Sequence, residues 1–274
     1  MKYLYLFLSA FLWSTSFPVV KWGLSYIEPF QFVFFRFLLA FFFFLPFLKF
    51  NIKKILRRDL LITGLLSATG YLFQFTGQKY TLSGRASLFI NTYILWIPII
   101  IYFFEKRSLN KNEIISLIFS LIGLFLLFYK DIGKFEITYL KGDILTLFSS
   151  FSWAFYIILA KKILKETPPF EFTAIIIFLT LIFLFPFSLI NFKFPENLQG
   201  YYAIFHLAFF CTFLAYFLYH IGLSKTSEFT SSLFLLLEVL FAIILSFIFL
   251  KEKFTLIQII GSLFILSSIL FGTK

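Results

Sequence analysis

Residues 30–48, FQFVFFRFLLAFFFFLPFL, carry one charge in nineteen positions, Arg36. As a helix such a run covers about 30 Å, the thickness of a bilayer's hydrocarbon core. Similar runs recur at 86–104 and 144–160. Working outward, charged clusters and turn residues divide the chain into ten apolar spans, near 3–22, 30–48, 59–78, 86–104, 111–129, 142–161, 170–190, 201–221, 229–250 and 255–272. An outer-membrane barrel would need ~10-residue segments of alternating polarity, and none occur. Lipid offers the backbone no hydrogen-bond partner, so helices are expected. The whole chain is 61% hydrophobic and 14% charged over 274 residues, too little polar surface for a soluble domain. Its 47 Phe suit a lipid-facing surface and are read as a compositional habit. Residues 1–20 look superficially like a signal peptide, but the next apolar span follows at once, so they are read as a retained first helix.

Lys and Arg orient such a chain. With the N-terminus in the cytoplasm, 14 of them fall on cytoplasmic loops and 9 on the other side. The most basic loop, 51–59 with Lys53, Lys54, Arg57 and Arg58, then lies inside. Both termini are expected in the cytoplasm and the protein in the cytoplasmic (inner) membrane. The formal charge of +11 follows from this topology, without a nucleic-acid partner.

The sequence also resembles itself. At an offset of 140 residues Trp13 falls on Trp153, Lys21 on Lys161, Pro29 on Pro169 and Pro46 on Pro186. At 145 residues Tyr71 meets Tyr216, Gly77 meets Gly222, Thr81 meets Thr226, and Ser87 meets Ser232. The change of offset is absorbed around 191–200. The expected domains are 1–134 and 135–274, five spans each. An odd number of spans inverts the second unit, an arrangement common in secondary transporters because exchanging the roles of the halves turns one open side into the other.

Four stretches, taken together, resemble the EamA-type repeats of the drug/metabolite transporter superfamily. They are LWSTSFPVVKWGLSYIEPFQFVFFRFLLA (12–40), KYTLSGRASL (79–88), GDILTLFSSFSWAFYIILAKKI (142–163) and KTSEFTSSLFLLLEVLFAIILSFIFLKEKFTLIQIIGSLFILSSILF (225–271). The resemblance implies ten helices, cytoplasmic ends, a central cavity, and transport of amino acids, related metabolites or toxic compounds. The chain departs from the pattern at Val239, where a Pro is usual. Leu250-Lys251-Glu252-Lys253 replaces a Gly-Glu-Arg motif, and Arg107 stands where its first-repeat Glu belongs.

Glu238 lies well inside the ninth span, where an ionised group costs at least ~3 kcal/mol without a wet or paired environment. It is the candidate for binding an ammonium group or carrying a coupling proton, against a structural hydrogen bond to another span. Arg36 is a candidate for a substrate carboxylate, against snorkelling to the interface or bonding backbone carbonyls. Ser9, Trp13 and Ser16 share a face of the first helix, with Ser149, Trp153 and Tyr156 as repeat mates. Trp13 and Trp153 would offer apolar and cation–π contact, or would simply pack helices. Tyr71, Gln74 and Gln78 form a polar stripe mirrored by Tyr216, Tyr219 and His220, and Asn91 and Tyr93 add polarity to the fourth span; each either lines a pathway or glues helices. His220, near a span end, is expected to be solvated. Gly64, Gly70 and Gly77 are read as close-packing positions. The expected substrate-binding set is thus Trp13, Arg36, Tyr71, Gln74, Asn91, Tyr93, Trp153, Tyr216 and Glu238, with Glu238 also coupling protons.

The function expected is export of amino acids or related amphiphilic compounds, by a monomer or weak homo-dimer. The alternative is an uptake or exchange carrier for nucleotide-linked or vitamin-like compounds. A lipid-modifying membrane enzyme fits less well, because Asp59, Asp131 and Asp143 are scattered and neither His206 nor His220 has an acid within five residues. No catalytic residue, cofactor or metal is expected. The single Cys211 excludes a disulfide framework.

Overall fold

The computed structural model describes residues 1–47, 52–132, 137–250 and 255–273. The domain boundary at 134/135, the end of the second span at 48, and Lys49, Lys134, Lys251, Glu252, Lys253 and Lys274 lie outside the described residues. Every regular element among the described residues is helical. Among the described residues, eight helices are long and apolar enough to cross a membrane: α1 (Lys2–Gly23), α3 (Arg58–Tyr80), α4 (Gly84–Glu105), α5 (Lys111–Tyr129), α6 (Ile137–Ile163), α7 (Pro169–Ser188), α8 (Leu198–Ser224) and α9 (Glu228–Leu245). Two shorter apolar helices, α2 (Pro29–Phe44) and α10 (Leu256–Gly272), have 16 and 17 residues.

Local chemistry sets several boundaries. Pro29 and Pro169 open α2 and α7 at the first turn, where a missing N–H costs nothing. The second span ends as an α-helix at Phe44, because Leu45–Phe47 tighten into a 3-10 turn around Pro46. α6 begins at Ile137, earlier than expected, and carries Asp143, which pairs with Arg85, in its second turn. Thr255 and Gln258 form a reciprocal capping box on α10.

Three helices break near their middles: α1 at Thr15, α4 at Thr92 and α9 at Leu236. The breaks in α4 and α9 lie at almost equivalent repeat positions, and Tyr93 and Glu238 follow them closely. α8 carries a π-helical insert, Phe209–Leu214. Such inserts mark functional sites more often than ordinary helix does.

Glycines permit the closest helix contacts. A Cβ on Gly77 would stand 2.9 Å from the Gly142 carbonyl of α6, and one on Gly70 would stand 3.1 Å from the Trp153 ring. A Cβ on Gly64 would meet Leu179 of α7. α5 and α10 cross where Gly123 faces Gly261, each Cβ position lying 2.9–3.0 Å from the other's carbonyl. All three glycines of α3 are therefore packing positions.

Candidate functional site

A cavity between the helices is lined by fifteen residues, and its empty volume, counting the part open to solvent, is ≈ 590 Å³. α1 contributes Trp13, Ser16 and Phe17; α2 contributes Arg36; α3 contributes Tyr71 and Gln74; α4 contributes Ile90 and Tyr93. The remaining wall comes from Trp153, Tyr156 and Ile157 of α6, Tyr216 and Tyr219 of α8, and Leu235 and Glu238 of α9.

Most of this wall is doubled. Offsets of 140 and 145 residues sort the lining into seven pairs: Trp13/Trp153, Ser16/Tyr156, Phe17/Ile157, Tyr71/Tyr216, Gln74/Tyr219, Ile90/Leu235 and Tyr93/Glu238. Arg36 alone has no mate on the wall; its repeat equivalent, Ile176, is buried elsewhere in α7. The geometry is doubled too. Trp13 meets Tyr216 edge-to-face at 5.2 Å, and Trp153 meets Tyr71 edge-to-face at 4.9 Å. Such pairs contribute about 0.5–1.5 kcal/mol each beyond burial. The Tyr216 hydroxyl donates to the Tyr71 hydroxyl at 2.9 Å, joining the two sets.

Among the described residues the charged side chains on the wall are Arg36, which has no mate, and Glu238, whose mate is Tyr93. Arg36 is 1% exposed, so it does not snorkel. Its Nε donates to Thr212 Oγ1 at 2.6 Å, and its Nη2 donates to the Cys211 carbonyl at 2.9 Å and to Tyr71 Oη at 3.1 Å. The π-helical insert makes this possible. The Thr212 hydroxyl reaches back to Leu207 O, five residues earlier, and Cys211 O also receives Trp13 Nε1 at 2.8 Å. The guanidinium sits over the Tyr71 ring at 4.6 Å. Its Nη1 makes no hydrogen bond among the described residues.

Glu238 stands in the first turn of the second half of α9, where helix N–H dipoles favour an anion. Among the described residues it has no hydrogen-bond partner and no cation within 4.0 Å, Arg36 included. Gln74 Oε1 accepts from Trp153 Nε1 at 3.3 Å, which turns the Gln74 amide N–H₂ away from that bond.

Eight of the nine expected substrate-binding residues therefore share one cavity: Trp13, Arg36, Tyr71, Gln74, Tyr93, Trp153, Tyr216 and Glu238. Asn91 does not line it. Its Nδ2 donates to Ser87 O and its Oδ1 accepts from Tyr93 Oη at 3.2 Å, so it stands behind the wall. His220 is not solvated as expected. It is fully buried, because α8 continues to Ser224 and neighbouring helices cover it. Nε2 bonds the Tyr156 hydroxyl at 2.8 Å and Nδ1 the Thr173 hydroxyl at 2.7 Å. Since the Thr173 proton goes to the Pro169 carbonyl, all three contacts are satisfied only if Nδ1 carries the imidazole hydrogen. Phe17, Ile90, Ile157 and Leu235 went unnoticed in the sequence as apolar wall residues. Their one signal was that they are each other's repeat mates.

The helices, the paired wall and the broken spans define a membrane transport protein. The chain belongs to the EamA-like transporter family, whose sequence profile matches residues 1–129 and again 140–273. An uncharacterized transporter of Archaeoglobus fulgidus is 29% identical over 281 residues, spanning 99% of this chain and 96% of that protein. A second from the same organism is 31% identical over 265 residues, 96% and 82% of the two chains. A probable amino-acid metabolite efflux pump of Salmonella typhimurium is 28% identical over 180 residues, 65% of this chain and 59% of that one. A crystal structure with 16% identity superposes with a TM-score of 0.80, covering 99% of this chain and 96% of the other, and shares the fold.

Proposed function

We propose that the chain is a secondary transporter that exports small amphiphilic metabolites, amino acids first among them, across the cytoplasmic membrane. In this reading all ten helices cross the bilayer, both termini are cytoplasmic, and 1–134 and 135–274 are inverted halves that rock about the cavity. The observation that carries it is the doubled wall. Seven repeat-related pairs around one cavity are what a site straddling a two-fold axis in the membrane plane requires. The two charged residues, Arg36 without a mate and Glu238 with Tyr93 as its mate, give the substrate an orientation. Arg36 Nη1 and the Gln74 amide are donors for a carboxylate; Glu238 is an acceptor for an ammonium group or a coupling proton. The aromatic pairs take an apolar side chain. The similarity to an amino-acid metabolite efflux pump supports the same substrate class.

The test is counterflow in proteoliposomes with a mixture of the proteinogenic L-amino acids, and with nucleosides and water-soluble vitamins in parallel. Exchange of one or more amino acids, lost on N-acetylation or amidation of the substrate, is expected. Exchange of nucleosides or vitamins alone would overturn the substrate class in favour of the other kind of carrier. Glu238→Gln is expected to abolish the pH dependence of transport. Full, still pH-dependent transport in that variant removes proton coupling from Glu238.

A further inference from the structure

Gln78 is 1% exposed, and neither its Oε1 nor its Nε2 has a hydrogen-bond partner among the described residues. A buried amide left unpaired at both ends works against the conformation that buries it. Its place in the fold gives that cost a purpose. Gln78 lies one turn beyond Gln74 and two beyond Tyr71 on α3, so it continues the polar stripe of the cavity towards the helix end.

That end is tied shut just past Gln78. Lys21 Nζ of α1 donates to the Gln78 and Thr81 carbonyls at 2.9 and 3.0 Å. Arg85 and Asp143, 5% and 4% exposed, form a two-pronged ion pair between α4 and α6, and Thr81 Oγ1 donates to Asp143 Oδ1 at 2.7 Å. At the opposite end of α6 the repeat-equivalent lysine does the same work: Lys161 Nζ donates to the Leu223 and Ser224 carbonyls at 2.9 and 3.1 Å. The rest of that end differs. The equivalent of Gln78 is Leu223, and Thr230 and Tyr3 stand where Arg85 and Asp143 do. Among the described residues, an unsatisfied amide lies directly beneath a buried ion pair only at the first end.

We infer that Gln78 is a second hydrogen-bonding station for the substrate, on the route between the cavity and the face that carries the Arg85–Asp143 clasp. When the clasp is shut the amide is unpaired. When it opens, the amide meets water and the passing solute, offering one donor group and one acceptor to the two ends of a zwitterion. The unpaired amide thereby offsets part of the clasp and keeps that face from being locked. This rests on the transporter reading above.

Single-cysteine labelling tests the route without a substrate. In a Cys211→Ala background, Gln78→Cys is treated with a membrane-impermeant thiosulfonate from each face in turn. Tyr80→Cys, at an exposed position of the same end, identifies the face. Modification only from that face is expected. It should be roughly tenfold faster with Asp143→Asn, which removes the carboxylate of the clasp, and slow again in the Arg85→Asp/Asp143→Arg swap. Modification from the opposite face, or none from either in a monodisperse Asp143→Asn protein, overturns the inference.

Gln78→Leu, which copies the other end, tests the station. Its unfolding midpoint without ligand should rise by roughly 2–4 °C, whereas loss of a structural hydrogen bond would lower it. For any amino acid the parent protein exchanges, kcat should fall roughly tenfold with KM unchanged. A lowered midpoint, or unchanged kcat, overturns it. If the parent exchanges no amino acid, the substrate assignment fails, and Gln78 is still judged by labelling and midpoint.

Discussion

The two ends of α6 are held by the same device and finished in different materials. Lys21 and Lys161 each cap the carbonyl-rich end of a neighbouring helix, α3 at one end and α8 at the other, where cations suit the helix dipole. Beside Lys21 stand Gln78 and the buried Arg85–Asp143 pair; the equivalent positions at the Lys161 end are Leu223, Thr230 and Tyr3, and the charged neighbours of Lys161 are Glu228 and Lys165. The frame of the repeat has been kept while the charge placed on it has drifted. Two ends with one geometry and different polarity will not open at equal cost, and direction of transport can be built on such a difference.

The strongest way to break this comparison is to remove one partner of the ion pair. Arg85→Met should cost about 3–5 kcal/mol, because Asp143 is left buried without this counter-ion, and the Arg85→Met/Asp143→Leu double variant should recover part of it. Unfolding in detergent micelles reads both. A double variant as unstable as the single would mean that the pair itself holds this end. The paired glycines come next. Gly77→Ala puts a methyl against the backbone of Gly142 and should cost about 1–3 kcal/mol, and Gly222→Ala meets Cδ2 and Cγ of the buried Leu6, with the Leu6 backbone N at 3.3 Å. The cost at Gly222 should fall in the same range of about 1–3 kcal/mol by the same assay.

A finer contrast lies at the centre of the cavity. Tyr71→Phe removes the acceptor of both Arg36 and Tyr216, while Tyr216→Phe removes a single donor. Losses of about 1–3 and about 1 kcal/mol are expected. The smallest effect is a predicted equality. Lys21→Met and Lys161→Met each delete two bonds to helix-end carbonyls, and their unfolding midpoints should agree closely. A wide gap would show that the shared frame is itself unequal.

Much of this was legible in the sequence. Runs of Phe and Leu longer than a bilayer leave the backbone no option but helix, so the helices of the described residues fall near their expected places. Trp and Pro are rare enough in this chain for their coincidence at 140 residues to expose the repeat. The site was partly legible for the same reason: polar groups in apolar spans are few, and most of those singled out meet in one cavity. Asn91 misled because a polar side chain can serve the wall from behind. His220 misled because distance from a span's end says nothing of what packs over it. The π-helical insert could not be read at all. Nothing in Phe209–Leu214 distinguishes it from ordinary helix, and its contacts with Arg36 and Trp13 span some 175 to 200 residues of chain.

The Tyr71–Tyr216 bond has one further consequence. There a residue touches its own counterpart, which is the isologous contact of a symmetric dimer rather than the mixed contact of a folded monomer. Surfaces of that kind recognise each other without a covalent tether. The polypeptide could therefore be supplied as two fragments, or as one fragment twice, and the pieces would still carry complementary faces.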